Sequence, residues 1–220
     1  MGKSAIILGA TGLTGGLLLK ALIKDSRYDA IILFGRKTCG IQHDKITEYL
    51  VDLFELEHYK NEFKADEVFC CIGTTKSKTP DKDTYYKIDY GIPVTVAKLC
   101  SQNKINTLAV ISALGADKAS KVFYNATKGK MEDAVLEYDI KNCYILQPSL
   151  ISGDRNEMRF GELVAKKVMS LVNSLLFGKL KKYRSIAPEE IVDCMIWLSN
   201  NEYNLNRIPS DVIKELAYQS

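Results

Sequence analysis

The first apolar run of the chain, Ala5-Ile6-Ile7-Leu8, passes without a linker into Gly9-Ala10-Thr11-Gly12-Leu13-Thr14-Gly15-Gly16 and from there into a helical stretch. Nothing else in the sequence restricts the fold as much. A strand that turns at once into a helix needs a tight turn, which Gly9 permits. Gly12 lets a ligand come close to the backbone, and Gly15 lets the helix pack tightly on the strand. The helix then opens with unsatisfied N–H groups and the positive end of its dipole, which together suit phosphate. The spacing is GxxGxxG rather than the GxGxxG of the simplest dinucleotide loops, and a glycine triplet by itself is weak evidence. Its place between an apolar strand and a helix is what points to a dinucleotide.

The rest of the chain repeats this alternation. Short β-rich runs at 5–8, 30–34, 46–51, 67–72, 107–112 and 143–147 are predicted strands. Amphipathic stretches at 13–23, 84–102, 121–137, 162–176, 189–198 and 211–217 are predicted helices, with Pro188 suited to a first helical turn. A short last strand is expected within 204–210. Strands separated by helices in this way form right-handed βαβ units. The expected fold class is therefore α/β, a doubly wound parallel sheet with helices on both faces. A length of 220 residues suits one such domain and is short for two, and no repeat or linker divides 1–220.

Composition narrows the function. A formal charge of +3 is too small to imply nucleic acid. No apolar stretch approaches the ~18 residues of a membrane span, and the first apolar run is too short for a signal peptide. The cytoplasm is the default expectation. Cys39, Cys70, Cys71, Cys100, Cys143 and Cys194 form no CxxC pair, and adjacent Cys70 and Cys71 should point to opposite faces of a strand. They are expected to be reduced, buried and inert. His43 and His58 stand apart without ligand spacing, so no metal is expected.

Cofactor choice is made at the end of the second strand, where an acidic residue would accept hydrogen bonds from a ribose 2′-OH. This chain has Phe34-Gly35-Arg36-Lys37 there, with Arg36 lying 21 positions beyond Gly15 (36 − 15). A guanidinium grips a 2′-phosphate in bidentate fashion, so NADP(H) is expected over NAD(H). Asp52, after the third strand, could accept from the adenine amino group, and Gly73, after the fourth, would pass close to the ribose. Either residue serves equally well in a plain turn.

Ser112 ends the fifth strand, and Tyr124-Asn125-Ala126-Thr127-Lys128 follows twelve positions later. About one YxxxK is expected by chance in a chain of this composition, so location carries the weight. Tyr124 and Lys128 are i and i+4 on a helix and share a face. Ser112 lies at the carboxyl edge of the sheet, where ligands bind in this architecture. Hydride transfer to a carbonyl needs a proton at the oxygen, and a free phenol titrates at about 10. A nearby ammonium lowers that value by roughly 1–3 units. Tyr124 is thus the candidate acid/base, Lys128 its tuner and a ribose contact, and Ser112 the donor polarising the carbonyl. The plainer alternative is a half-buried Tyr124 beside a solvated Lys128.

With these residues in place the chain resembles the atypical short-chain dehydrogenases/reductases, and among them the Tat-interacting-protein (HTATIP2-like) oxidoreductase group. The matching stretches are Gly9–Gly15, Gly35-Arg36, Cys70–Thr75, Ser112 with Gly115-Ala116-Asp117, Tyr124 with Lys128, and Gln147-Pro148 with Asp154-Arg155. The resemblance implies a three-layer Rossmann fold binding NADPH in the cytoplasm. It also implies further cofactor contacts from Thr11, Leu13, Thr14, Leu53, Cys71, Ile72, Thr74, Pro148, Ser149 and Leu150. Its members are often better established as cofactor binders than as enzymes, which leaves an NADPH-binding regulatory protein as the alternative. Two departures stand out: Ala113 replaces a second serine, and Gln147-Pro148-Ser149 stands where Arg-Pro-Gly is more usual. The resemblance also allows a homodimer or a protein partner. The stretch 149–186 is a short substrate or lid region with a basic amphipathic helix. It leaves room for only a small carbonyl or alcohol substrate.

Overall fold

The computed structural model describes residues 2–152 and 178–219. Seven parallel strands form one sheet in the order β3-β2-β1-β4-β5-β6-β7. They are β1 (Lys3–Leu8), β2 (Tyr28–Gly35), β3 (Ile46–Leu50), β4 (Glu67–Cys70), β5 (Thr107–Ile111), β6 (Asn142–Gln147) and β7 (Arg207–Pro209). The order reverses between β1 and β4, the switch point at which doubly wound sheets bind ligands. The fold is the expected Rossmann-like one.

Alternation along each strand sorts the core into two layers. Ala5, Ile7, Phe69, Ala109 and Leu146 face helices α1 (Leu13–Lys24), α5 (Pro188–Asn200) and α6 (Ser210–Ala217). Ile6, Leu8, Val68, Cys70, Leu108, Val110 and Ile145 face α3 (Ile92–Gln102) and α4 (Phe123–Leu136). Cys70 and Cys71 do point to opposite layers, all six cysteines are free, and burial pushes the Cys70 thiol up to about 11.

Most predicted elements lie within a residue or two of their observed ends. The strand expected to run to Ile72 stops at Cys70, where the chain leaves the sheet toward the glycine loop. The helix expected over 162–176 falls outside the described residues. Two short 3₁₀ helices, Leu53–Tyr59 and Gly178–Tyr183, were not anticipated, because about two turns are too short to carry a periodic signature.

The helix expected over 84–102 is the informative difference. It begins as α2 (Lys82–Tyr86), widens into a π turn at Lys87–Gly91 and continues as α3. Pro93 accounts for the widening. It has no N–H for the carbonyl of residue 89, and its ring crowds that carbonyl, so a regular turn cannot pass through.

At the amino edge of the sheet, Glu67 is buried, receives the Tyr28 hydroxyl at 2.6 Å and pairs with Lys3 at 2.5 Å. Burial, outweighing the Lys3 and Tyr28 hydrogen bonds, raises the Glu67 pKa above its ordinary value of 4.5. A raised folded-state pKa stabilises the fold below the unfolded value and loses that stabilisation as pH rises through the folded value. Glu67→Gln should therefore gain stability relative to the native chain as pH climbs above the ordinary carboxylate range. Thermal unfolding at a series of pH values checks this; a difference that stays flat with pH would contradict it.

Candidate active site

The glycine loop sits at the switch point as a close-packed turn. Gly9 has φ +89°, and a Cβ there would lie 2.7 Å from the Cys71 carbonyl oxygen. A Cβ on Gly15 would lie 2.2 Å from the Gly9 carbonyl oxygen, so α1 can approach β1 only without one. The Gly12 N–H donates to Gly9 O at 2.9 Å, and Gly12 caps α1 without any side-chain acceptor. The first-turn N–H groups are thus left for an outside anion, and the cradle fits the pyrophosphate of a dinucleotide. Thr11 and Leu13 at its lip are exposed, and Thr14 is buried.

Around this turn lie the ends of the neighbouring strands. Arg36 and Lys37 are exposed immediately after β2 and form no ion pair among the described residues. Asp52 accepts the Phe54 N–H at 3.0 Å and so caps the first 3₁₀ helix, while Leu53 turns into the core. Asp52 thus has a structural role as a helix cap. After β4, Cys71 donates its N–H to Leu8 O at 2.9 Å, and Ile72-Gly73 lead to Thr74. A Cβ on Gly73 would lie 3.6 Å from Asp89 Oδ1 and 3.9 Å from Lys128 Nζ.

Asp89, on the π turn, escaped the sequence reading. One carboxylate oxygen accepts the Thr74 N–H at 2.9 Å, and the other lies 2.8 Å from Lys128 Nζ. Both side chains are almost fully buried, at 1% and 4% exposure. Lys128 also donates to the Ile111 carbonyl at 3.4 Å. The solvated Lys128 of the plainer alternative is therefore not what forms. Tyr124, one turn earlier on α4, is 38% exposed.

A second tyrosine, Tyr85, was likewise missed. It donates to the Thr74 carbonyl at 3.2 Å and meets Phe123 edge-on at 5.6 Å, with Lys82 over the Phe123 ring. Burial first, then the Asp89 charge and Tyr124, hold the Tyr85 phenol well above its ordinary value. It stays a donor, and Tyr124 is the more exposed residue of the two.

The Ser112 hydroxyl is turned toward α4. The residue is 4% exposed, and its hydroxyl donates to Glu132 Oε1 at 2.5 Å. Pro148 accepts the Leu114 N–H at 2.9 Å. Ser149 donates its hydroxyl to the Arg184 carbonyl and accepts from Ser210 Oγ at 3.0 Å. Its side chain thus ties the loop down, while Leu150 is exposed. A signal for one of the missed residues existed: Asp89 lies four residues before Pro93, which breaks the apparent helix.

Comparison with known proteins places this geometry. The family model described as NAD dependent epimerase/dehydratase matches residues 5–202. Protein HTATIP2 of Rattus norvegicus is 31% identical over 169 residues, 75% of this chain and 69% of that protein. Protein FMP52, mitochondrial, of Meyerozyma guilliermondii is 30% identical over 177 residues, 79% of this chain and 76% of that one. The structure of UDP-glucuronic acid 4-epimerase from Bacillus cereus in complex with NAD superposes with TM-score 0.68. It is 15% identical and covers 94% of this chain and 78% of its own.

One expectation is overturned here. Several yeast relatives are named mitochondrial, and against them the cytoplasmic expectation does not stand. The cytoplasmic default rested on the want of a secretory signal, and no residue stood behind it. Among the described residues, no helix is long and apolar enough to cross a membrane.

The buried pair yields a stability prediction. Asp89→Ala leaves the Lys128 cation uncompensated and should lower stability by about 3–5 kcal/mol. Urea unfolding measures it; a loss below about 1 kcal/mol is the behaviour of an exposed pair and would contradict the burial.

Proposed function

The chain belongs to the NAD dependent epimerase/dehydratase family and, within it, to the atypical short-chain dehydrogenases related to HTATIP2; from that premise we propose an NADP(H)-dependent oxidoreductase acting on a small carbonyl or alcohol. The observation that carries the reading is the Lys128 ammonium, buried against Asp89 and one helical turn from the exposed Tyr124 phenol. Residues 1–220 then act as one NAD(P)-binding domain, with 149–186 shaping the substrate end.

NADP(H), when bound, supplies the hydride. Tyr124 gives its phenolic proton to the carbonyl oxygen in reduction and takes it back in oxidation. Lys128 favours the phenolate through its charge, and Asp89 fixes where that charge sits. The free N–H groups at the start of α1 hold the pyrophosphate. Arg36, with Lys37 beside it, takes the 2′-phosphate.

The alternative is an NADPH-binding regulatory protein with little or no turnover. The engagement of Ser112 with Glu132 favours it, since the expected second donor to a carbonyl is otherwise occupied.

Two measurements test the reading. Arg36→Ala should weaken NADPH binding at least tenfold more than NADH binding, a difference of about 1.4 kcal/mol or more; equal losses in paired titrations would contradict the 2′-phosphate role. Tyr124→Phe should lower NADPH-dependent turnover on a panel of aldehydes and ketones by about a hundredfold or more. Unchanged turnover would refute Tyr124 as the acid/base.

A further inference from the structure

Glu132 is an unusual residue to bury. It lies on α4 between Met131 and Asp133, is 2% exposed and accepts hydrogen bonds from three separate strand ends. From beyond β5 comes the Ser112 hydroxyl at 2.5 Å, and from the end of β6 the Gln147 amide at 2.9 Å to each carboxylate oxygen. From β7 comes the Arg207 guanidinium, with Nε at 2.8 Å. Arg207 also holds the neighbouring Asp133 at 2.7 Å. A carboxylate is acceptor-only, so every one of these groups must turn its hydrogen toward Glu132.

For Ser112 the consequence is chemical. A hydroxyl has one hydrogen, and this one points at a buried charge, a stronger acceptor than a neutral carbonyl. The backbone keeps it there. The Ser112 N–H donates to Leu146 O at 2.7 Å and the Leu114 N–H to Pro148 O at 2.9 Å, so the β5–β6 ladder runs on past Ile111. Ser112 therefore keeps the parity of Leu108 and Val110, whose side chains face the α3–α4 layer. The next residue along, Ala113, has no hydroxyl to offer.

We propose that Glu132 is a positioning residue that claims the Ser112 hydroxyl as a strut between α4 and the carboxyl edge of the sheet, leaving Tyr124 to meet the substrate oxygen without help from Ser112. Glu132 thereby sets the helix that carries Tyr124 and Lys128 against three strand ends at once. The inference rests on the oxidoreductase reading for its catalytic consequence and on the contacts alone for the strut.

The test is a cycle of Ser112→Ala, Glu132→Gln and the double variant. Each is assayed for reduction of 4-nitrobenzaldehyde by NADPH, for NADPH affinity and for urea unfolding. Glu132→Asp completes the cycle should Glu132→Gln fail to fold. The expected result is a kcat lowered by no more than about tenfold in each single variant and no further in the double one. NADPH affinity and the KM for the aldehyde should hold. A fall of more than about a hundredfold in Ser112→Ala alone, with Glu132→Gln near the native rate, is the signature of a lost oxyanion donor and would overturn the proposal. If the native protein does not turn the aldehyde over, that counts against the oxidoreductase reading, and unfolding decides the strut. Coupling of about tenfold or more in the folding equilibrium supports it, and additive effects overturn it.

Discussion

Two opposite charges are buried side by side where β4 and β5 end, and most of the site follows from accommodating them. Removing an ammonium and a carboxylate from water costs several kcal/mol per ion, and their attraction offsets this only when geometry is good and the remaining polar atoms are satisfied. Here Lys128 has Asp89 at 2.8 Å and the Ile111 carbonyl within reach, while the second Asp89 oxygen takes the Thr74 N–H. The pair thus joins α4, the end of β5, the π turn and the loop after β4. Pro93 forces the π turn that carries Asp89, so a backbone irregularity and a buried charge share one origin.

The glycine loop fixes the other side of the site by a different kind of constraint, close approach of backbone to backbone. Gly15 packs where a Cβ would be 2.2 Å from Gly9 O, and Gly9 packs where one would be 2.7 Å from Cys71 O. The loop therefore rests on the residue that leads into Gly73, beside the buried pair. Phosphate-binding backbone and proton-handling side chains are held in register by contacts only a few residues long.

What could be read from the sequence follows the range of the determining interaction. Strand and helix order was legible because burial imposes periods of two and 3.6 on each element separately. The glycine loop was legible because its geometry is local, and Tyr124 with Lys128 because i,i+4 spacing guarantees a shared face. Asp89 was hidden inside an apparently regular helix, although Pro93 signalled the break. The direction of Ser112 depended on the strand ladder continuing past Ile111, a tertiary fact. Glu132 collects donors from three strands far apart in sequence, and no local pattern foretells that. Location was different again, since no residue pattern had been found to support it and relatives corrected it.

The central claim is hydride transfer at this edge of the sheet, and isotope transfer tests it most directly. The protein would be incubated with NADPH bearing deuterium at the transferable C4 position and with an aldehyde, and the alcohol analysed by mass spectrometry. The account predicts one deuterium on the carbinol carbon, formed at least about a hundredfold more slowly by Tyr124→Phe. Tight NADPH binding with no deuterium in any product would contradict it and leave a cofactor-binding regulator in its place.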